Sequence, residues 1–264
     1  MRLGLNKQQL NTNTAEATSQ TDSTKSIISV KGLCKSHGTE SILRDINIDV
    51  NPGEMIGLIS KSGEGKTTLI DCITGASDFE QGEICINGFD IKYESVLAKR
   101  SFGYVSELPS CYDSMVGMDY LEFIASIYQI TEGDFVRNCQ YLCERIDFPT
   151  EKLTAPIHTY SISTKQKLCI IASLLYTPAA WILDNPTAFL DLMTFDTLKK
   201  MMRDYASNGK SVLVATSSIE LAAKTCDKVI ILNQGKIAAI HDLNKEPNKR
   251  IQLSKLFADV YRRR

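Results

Sequence analysis

An excess of charge of either sign is missing from this 264-residue sequence: 30 Lys and Arg stand against 31 Asp and Glu, a net of −1. That balance leaves no electrostatic footprint for nucleic acid as a main partner. Long apolar runs are missing too. The longest, "LCIIASLLY" (168–176), falls far short of the roughly 20 residues that a bilayer span needs. Arg2 is followed by "LGLNKQQ", too polar for a signal peptide. The expectation is a soluble protein whose membrane role, if any, runs through a partner. The eight cysteines contain no Cys-x-x-Cys pair. Scattered in this way, they are expected to pack as small apolar residues in a reducing compartment. Cys139 and Cys143 are one helical turn apart and could share a metal. No nearby histidine completes a ligand set, which favours core packing. There is no internal repeat, and the length suits one large α/β domain with its own core.

Residues 1–25 are rich in Asn, Thr, Gln and Ser. They bury too little apolar area to fold and read as a disordered tail. The domain is expected over 26–264. "SIISVKGL" (26–33) has strand character, and "ILRDINIDV" (42–50) alternates as a half-buried strand does. "NPGE" (51–54) is a turn, and "MIGLI" (55–59) has the unbroken apolarity of a central parallel strand. "EICINGFDI" (84–92) reads as strand, Asn87-Gly88 turn, strand. Helical periodicity marks 120–130 and 135–146, which predicts an inserted helical subdomain over roughly 110–165. Residues 165–176 read as a buried helix, and 197–207 and 219–226 as further helices. "AAWILD" (179–184), "SVLVAT" (211–216) and "KVIIL" (228–232) read as buried parallel strands. Strands alternating with helices predict an α/β fold with a mostly parallel sheet.

"SKSGEGKTTL" (60–69) follows the strand 55–59 and opens a helix. Gly63 and Gly65 let the backbone approach an anion and turn its N–H groups inward. Lys66 supplies charge for the β- and γ-phosphates, and the Thr67 hydroxyl can ligate Mg²⁺. The helix N-terminus adds partial positive charge behind them. Ser60, Lys61, Ser62, Glu64 and Thr68 complete the loop. The phosphate-loop pattern has glycine where this chain has Ser60, so strain of about 1–3 kcal/mol is expected if the backbone there is unfavourable.

In order along the chain come this loop, "FGYVSELPSCYDSM" (102–115), "YSISTKQKL" (160–168), "WILDNPTAFLD" (181–191) and "CDKVIILNQGKI" (226–237). This order resembles the ATP-binding subunits of ABC transporters over 26–257. Residues 102–130 look most like the branch serving ABC-2-type exporters. The resemblance implies a P-loop NTPase fold with an antiparallel β subdomain near the N-terminus and an inserted α-helical subdomain. It also implies ATP and Mg²⁺ as cofactors. The implied partners are a transmembrane permease and a second nucleotide-binding domain, with a place on the cytoplasmic face of the membrane. Lys66, Thr67 and Asp184 match phosphate and Mg²⁺ binding. Asp191 matches the loop that links the two ATP sites. Glu107 stands where a Gln usually touches Mg²⁺ and the transmembrane partner.

Other positions depart from the family pattern. Its catalytic glutamate is Asn185 here and its switch histidine is Ser217. Its Leu-Ser-Gly-Gly-Gln signature is Tyr160-Ser161-Ile162-Ser163-Thr164, and the adenine-stacking aromatic is His37. Asn185 is neutral and is no base at physiological pH. Ile162 places a branched side chain where glycine allows close approach. Ser161 can still cap its helix. Glu220, near Ser217, is a candidate stand-in for the missing carboxylate. The expectation is retained nucleotide binding with poor hydrolysis, the chain serving as an ATP-dependent clamp or regulator. Two alternatives stay open: an ordinary ATPase with compensated motifs, and a scaffold that has lost nucleotide dependence. "SKLFADVYRRR" (254–264) reads as a helix with a basic end, and the resemblance implies that it packs on the sheet.

Overall fold

A computed structural model describes residues 25–262. The polar stretch read as a tail lies outside the described residues except for Lys25, as do Arg263 and Arg264. The chain opens with two long antiparallel strands, β1 (Ile28–His37) and β2 (Glu40–Val50), then β3 (Met55–Ile59). α1 (Lys66–Thr74) follows, with β4 (Gln81–Ile86), β5 (Phe89–Asp90), α2 (Ser95–Arg100) and β6 (Phe102–Val105). Next come α3 (Gly117–Tyr128), α4 (Glu132–Arg145) and two short 3-10 turns, Thr150–Thr154 and Ile157–Thr159. The remainder alternates: α5 (Ile162–Leu174), β7 (Ala180–Asp184), α6 (Leu192–Ser207), β8 (Ser211–Thr216), α7 (Ile219–Thr225) and β9 (Lys228–Asn233). It ends with β10 (Lys236–Asp242) and α8 (Pro247–Arg262).

Two sheets form. One has four antiparallel strands in the order β2-β1-β4-β5. The other has six in the order β10-β9-β3-β8-β7-β6, parallel except for β10 against β9. The strand period of two decides how they pack. In β3, β7 and β8, Met55, Ile59, Trp181, Leu183, Val212 and Val214 enter one core with helices α3 to α8. The alternate residues Ile56, Leu58, Ile182, Leu213 and Ala215 enter a second core with α1 and the antiparallel sheet. The six-stranded sheet is thus covered on both faces, which explains why its strands read as unbroken apolar runs.

Several boundaries move from their sequence expectation. The helix expected from 165 starts at Ile162, because Ser161 caps it through the Thr164 N–H at 3.1 Å. The helix expected from 135 starts at Glu132, capped by the Thr131 hydroxyl. α8 begins at Pro247, seven residues before the expected 254; proline suits a first helical turn, where its missing N–H has no partner to lose. Cys139 and Cys143 are buried core residues of α4. The strands of the large sheet end together on one side, and the loops after β3, β7 and β8 meet there.

Candidate functional site

Those loops enclose a cleft of about 410 Å³ lined by the phosphate loop, Ile42, Glu107, Asn185 and Ser217. The loop runs from the end of β3 into α1. Its left-handed turns fall on Gly63 (φ 82°) and Gly65 (φ 94°), and Gly65 is the N-cap of α1. A Cβ on Gly65 would sit 3.0 Å from the Leu43 side chain, so glycine is required there on both counts. Ser60 is buried, keeps its φ out of the left-handed region and turns its hydroxyl to the Lys61 carbonyl at 2.9 Å. The strain expected at Ser60 is therefore absent, because the two later glycines take the turn. Behind the loop, the first-turn amides of α1 have no intrahelical partner and carry the positive end of the helix dipole.

Lys66 Nζ lies 3.4 Å from the Asp184 carboxylate, which is almost fully buried at the end of β7. Burial pushes the Asp184 carboxyl above the usual aspartate range, and the Lys66 ammonium opposes that rise. Thr67 and Glu107 are exposed to the same cleft. The Thr67 hydroxyl and the two carboxylates are hard oxygen donors, a set that suits Mg²⁺.

The opposite wall comes from β7 and β8. Asn185 follows Asp184 with φ at 40°, a left-handed backbone that asparagine tolerates better than most residues. Its N–H continues the ladder to the Ala215 carbonyl at 2.8 Å. Its side-chain Oδ1 accepts from the Ser217 N–H at 3.2 Å. Asn185 and Ser217, two of the positions expected to depart from the family pattern, are thus bonded to each other.

The other predicted residues fall elsewhere. His37 is exposed at the tip of the β1–β2 hairpin, paired in register with Glu40, and outside the cleft lining. Ile42, five residues later, lines the cleft in its place; sequence reading passed over it as one apolar position of an alternating strand. The Glu64 side chain turns outward, its carboxylate accepting from the Gln234 N–H. Ser161, Ile162, Ser163 and Thr164 open α5 away from this cleft, with Ile162 exposed. Asp191 caps α6 through the Thr194 N–H and hydroxyl at 2.8 and 3.0 Å, and those donors hold its carboxyl below the usual range. Glu220 is exposed and pairs with Lys224 at 2.5 Å, outside the cleft lining.

Comparison with known proteins agrees with this geometry. The ABC transporter family pattern matches residues 43–188. The uncharacterized ABC transporter ATP-binding protein YdbJ of Bacillus subtilis (strain 168) is 34% identical over 220 residues, which is 81% of this chain and 68% of that one. A solved structure described as the ATP-binding subunit of an ABC transporter superposes with a TM-score of 0.84 at 26% identity, covering 89% of this chain and 99% of that one. The dimeric bacterial ABC transporter cassette MJ0796 shares the fold, with a TM-score of 0.74 at 19% identity over 82% of this chain and 98% of that one. The chain belongs to the ABC transporter family and carries its ATP-binding domain.

Proposed function

We propose that this chain is the nucleotide-binding subunit of an exporter-type transporter that holds Mg-ATP, hydrolyses it poorly, and acts as an ATP-dependent clamp or regulator. The observation that carries the reading is the bond between Asn185 Oδ1 and the Ser217 N–H. Phosphoryl transfer depends on positioning and on charge placed where the transition state needs it. At the position after the Mg²⁺ aspartate, this chain offers a neutral amide whose oxygen is already engaged. Such a group takes no proton from water near neutral pH. The candidate stand-in, Glu220, is paired with Lys224 instead.

Binding is the retained half. Glycines turn the loop, Lys66 faces Asp184, and Thr67, Asp184 and Glu107 would hold Mg²⁺, which supplies charge neutralisation for the phosphates. The signature segment Ser161–Thr164 and Asp191 lie outside this cleft, free for a role toward a second nucleotide-binding domain; the structurally similar MJ0796 cassette is described as dimeric. With Ile162 exposed at the helix start, that second site would close less tightly on a γ-phosphate than one closed by glycine.

A transmembrane permease is the other partner of this reading. No helix among the described residues is long and apolar enough to cross a membrane. Beyond Ser106, next to Glu107, opens a groove of about 480 Å³ with Tyr104, Tyr120, Ile124, Tyr128 and Tyr176 in its wall. An apolar, aromatic groove beside a Mg²⁺-site residue suits the docking of such a partner at the cytoplasmic face. Steady-state ATP turnover of the purified chain, alone and with its transmembrane partner, tests the proposal. Turnover is expected to be slow in both. Brisk turnover abolished by Lys66→Ala would sink it.

A further inference from the structure

We infer that Tyr261, on the last described turn of α8, is a positioning residue for the nucleotide site: its hydroxyl sets the outer edge of the phosphate loop. The inference rests on the reading of the cleft as a nucleotide site, and goes beyond it by assigning α8 a part in that site.

Tyr261 is buried, and its hydroxyl makes two bonds of fixed direction. It accepts from the Lys61 N–H at 2.9 Å and donates to the Leu232 carbonyl at 2.6 Å. An amide N–H only donates and a carbonyl only accepts, so the hydroxyl's one proton must go to Leu232. The phenol is thus a relay between the end of β9 and the first turn of the loop. The Lys61 ammonium lies 4.4 Å from the centre of the Tyr261 ring, a second tie to the same residue. Phe257, one turn earlier, packs on Tyr261 with ring centres 4.8 Å apart and orients it. Three residues along the loop, the Glu64 carboxylate accepts from the Gln234 N–H in the β9–β10 turn.

The loop is therefore pinned twice on its outer side, at Lys61 and at Glu64, to the same end of β9. Between the two pins lies Gly63, whose left-handed turn sets the curvature of the cradle. A loop that must present several N–H groups to one anion loses affinity when it can adopt other curvatures, because binding then has to order it. The Tyr261 hydroxyl removes that freedom before the ligand arrives. This gives a reason for a tyrosine there, since a phenylalanine would fill the same space.

Tyr261→Phe keeps the ring and deletes the relay. Mg-ATP titration well below the melting temperature counts only folded molecules. The expected result is a Kd raised roughly threefold to tenfold, as the loss of one or two hydrogen bonds implies. In the nucleotide-free protein, amide exchange at Lys61 and Ser62 should quicken while β8 stays protected. Leu253→Ala is the control: Leu253 is a buried residue of α8 about two turns before Tyr261 and outside the Phe257–Tyr261 pair, so its loss loosens the helix, lowers stability and should leave Kd near the wild-type value. An unchanged Kd in Tyr261→Phe, or unchanged exchange at Lys61, overturns the inference. So does a Leu253→Ala variant whose Kd rises as much, since the effect would then belong to helix packing. If wild-type protein binds no Mg-ATP in a Lys66-dependent way, the nucleotide reading itself falls, and the wild-type titration alone reveals it.

Discussion

On one wall of the cleft the backbone supplies most of the chemistry, and on the other wall side chains must supply it. The phosphate loop needs left-handed turns at Gly63 and Gly65, one ammonium from Lys66 and the open end of α1. The β7–β8 wall of the family needs a carboxylate and an imidazole, and this chain offers Asn185 and Ser217 joined to each other. Backbone functions survive many substitutions, as Ser60 illustrates by fitting without strain. Side-chain functions end with the side chain. Holding a nucleotide and cleaving it are therefore separable, and the function proposed above assigns this chain the first set of parts without the second.

That contrast can be broken most sharply at Lys66. Lys66→Ala removes the charge facing the phosphates and leaves the buried Asp184 without its partner. Mg-ATP affinity is expected to fall by about 100-fold or more, in line with the cost of deleting one partner of a hydrogen-bonded charge pair between protein and ligand. Loss of the Mg-ATP-dependent rise in melting temperature reads this out. Retained affinity would mean that the loop wall does not bind through this lysine.

The opposite wall is tested by restoration. Asn185→Glu with Ser217→His is expected to raise turnover by about 100-fold, the low end of what a positioned general base contributes. Asn185 has a φ of 40°, and glutamate tolerates that backbone less well than asparagine. The variant should therefore lose about 1 kcal/mol of stability, measured by denaturant unfolding. A rate gain without that loss would show that the wall relaxes around the new side chain.

Two aspartates sharpen the comparison through pH. Asp184 has a raised carboxyl, so it takes up a proton at a higher pH than an ordinary aspartate. Its proton competes with Mg²⁺, so Mg-ATP affinity should fall on acidification while exposed aspartates are still ionised. Asp191 has a lowered carboxyl and stays ionised further into acid. Its cap on α6 should then outlast Mg-ATP binding in a titration that follows both. The smallest effect is expected from Ser161→Ala, which removes the α5 cap at a cost of about 1 kcal/mol in stability. It should leave the Kd of the isolated chain unchanged, since Ser161 lies outside the cleft.

The same division governs what could be read in advance. β3, β7, β8 and β9 are legible because sheets covered on both faces demand unbroken apolar runs. The loop is legible because its glycines and lysine sit at fixed spacing between a strand and a helix. β6 carries no signal of its own: "FGYV" is four residues long and contains a glycine, and its strand state comes from pairing with β7. α2 was passed over because six residues carry too little periodicity. The resemblance points to His37 at the cleft because a match to the family's adenine-stacking position is local information. Whether the hairpin tip or Ile42 faces the cleft depends on how the antiparallel sheet sits on the other one. The Asn185–Ser217 bond joins residues 32 positions apart and depends on a parallel register that spacing does not reveal.

The Tyr261 hydroxyl closes a contact across 200 positions. A ribosome makes the phosphate loop long before it makes the helix that pins it. At roughly 5–20 residues per second, the loop spends on the order of 10–40 seconds without its outer tie. During that interval β3 and α1 can form while the cradle between them keeps its freedom. On the inference drawn for Tyr261, nascent chains halted before α8 should bind Mg-ATP more weakly than chains that contain it.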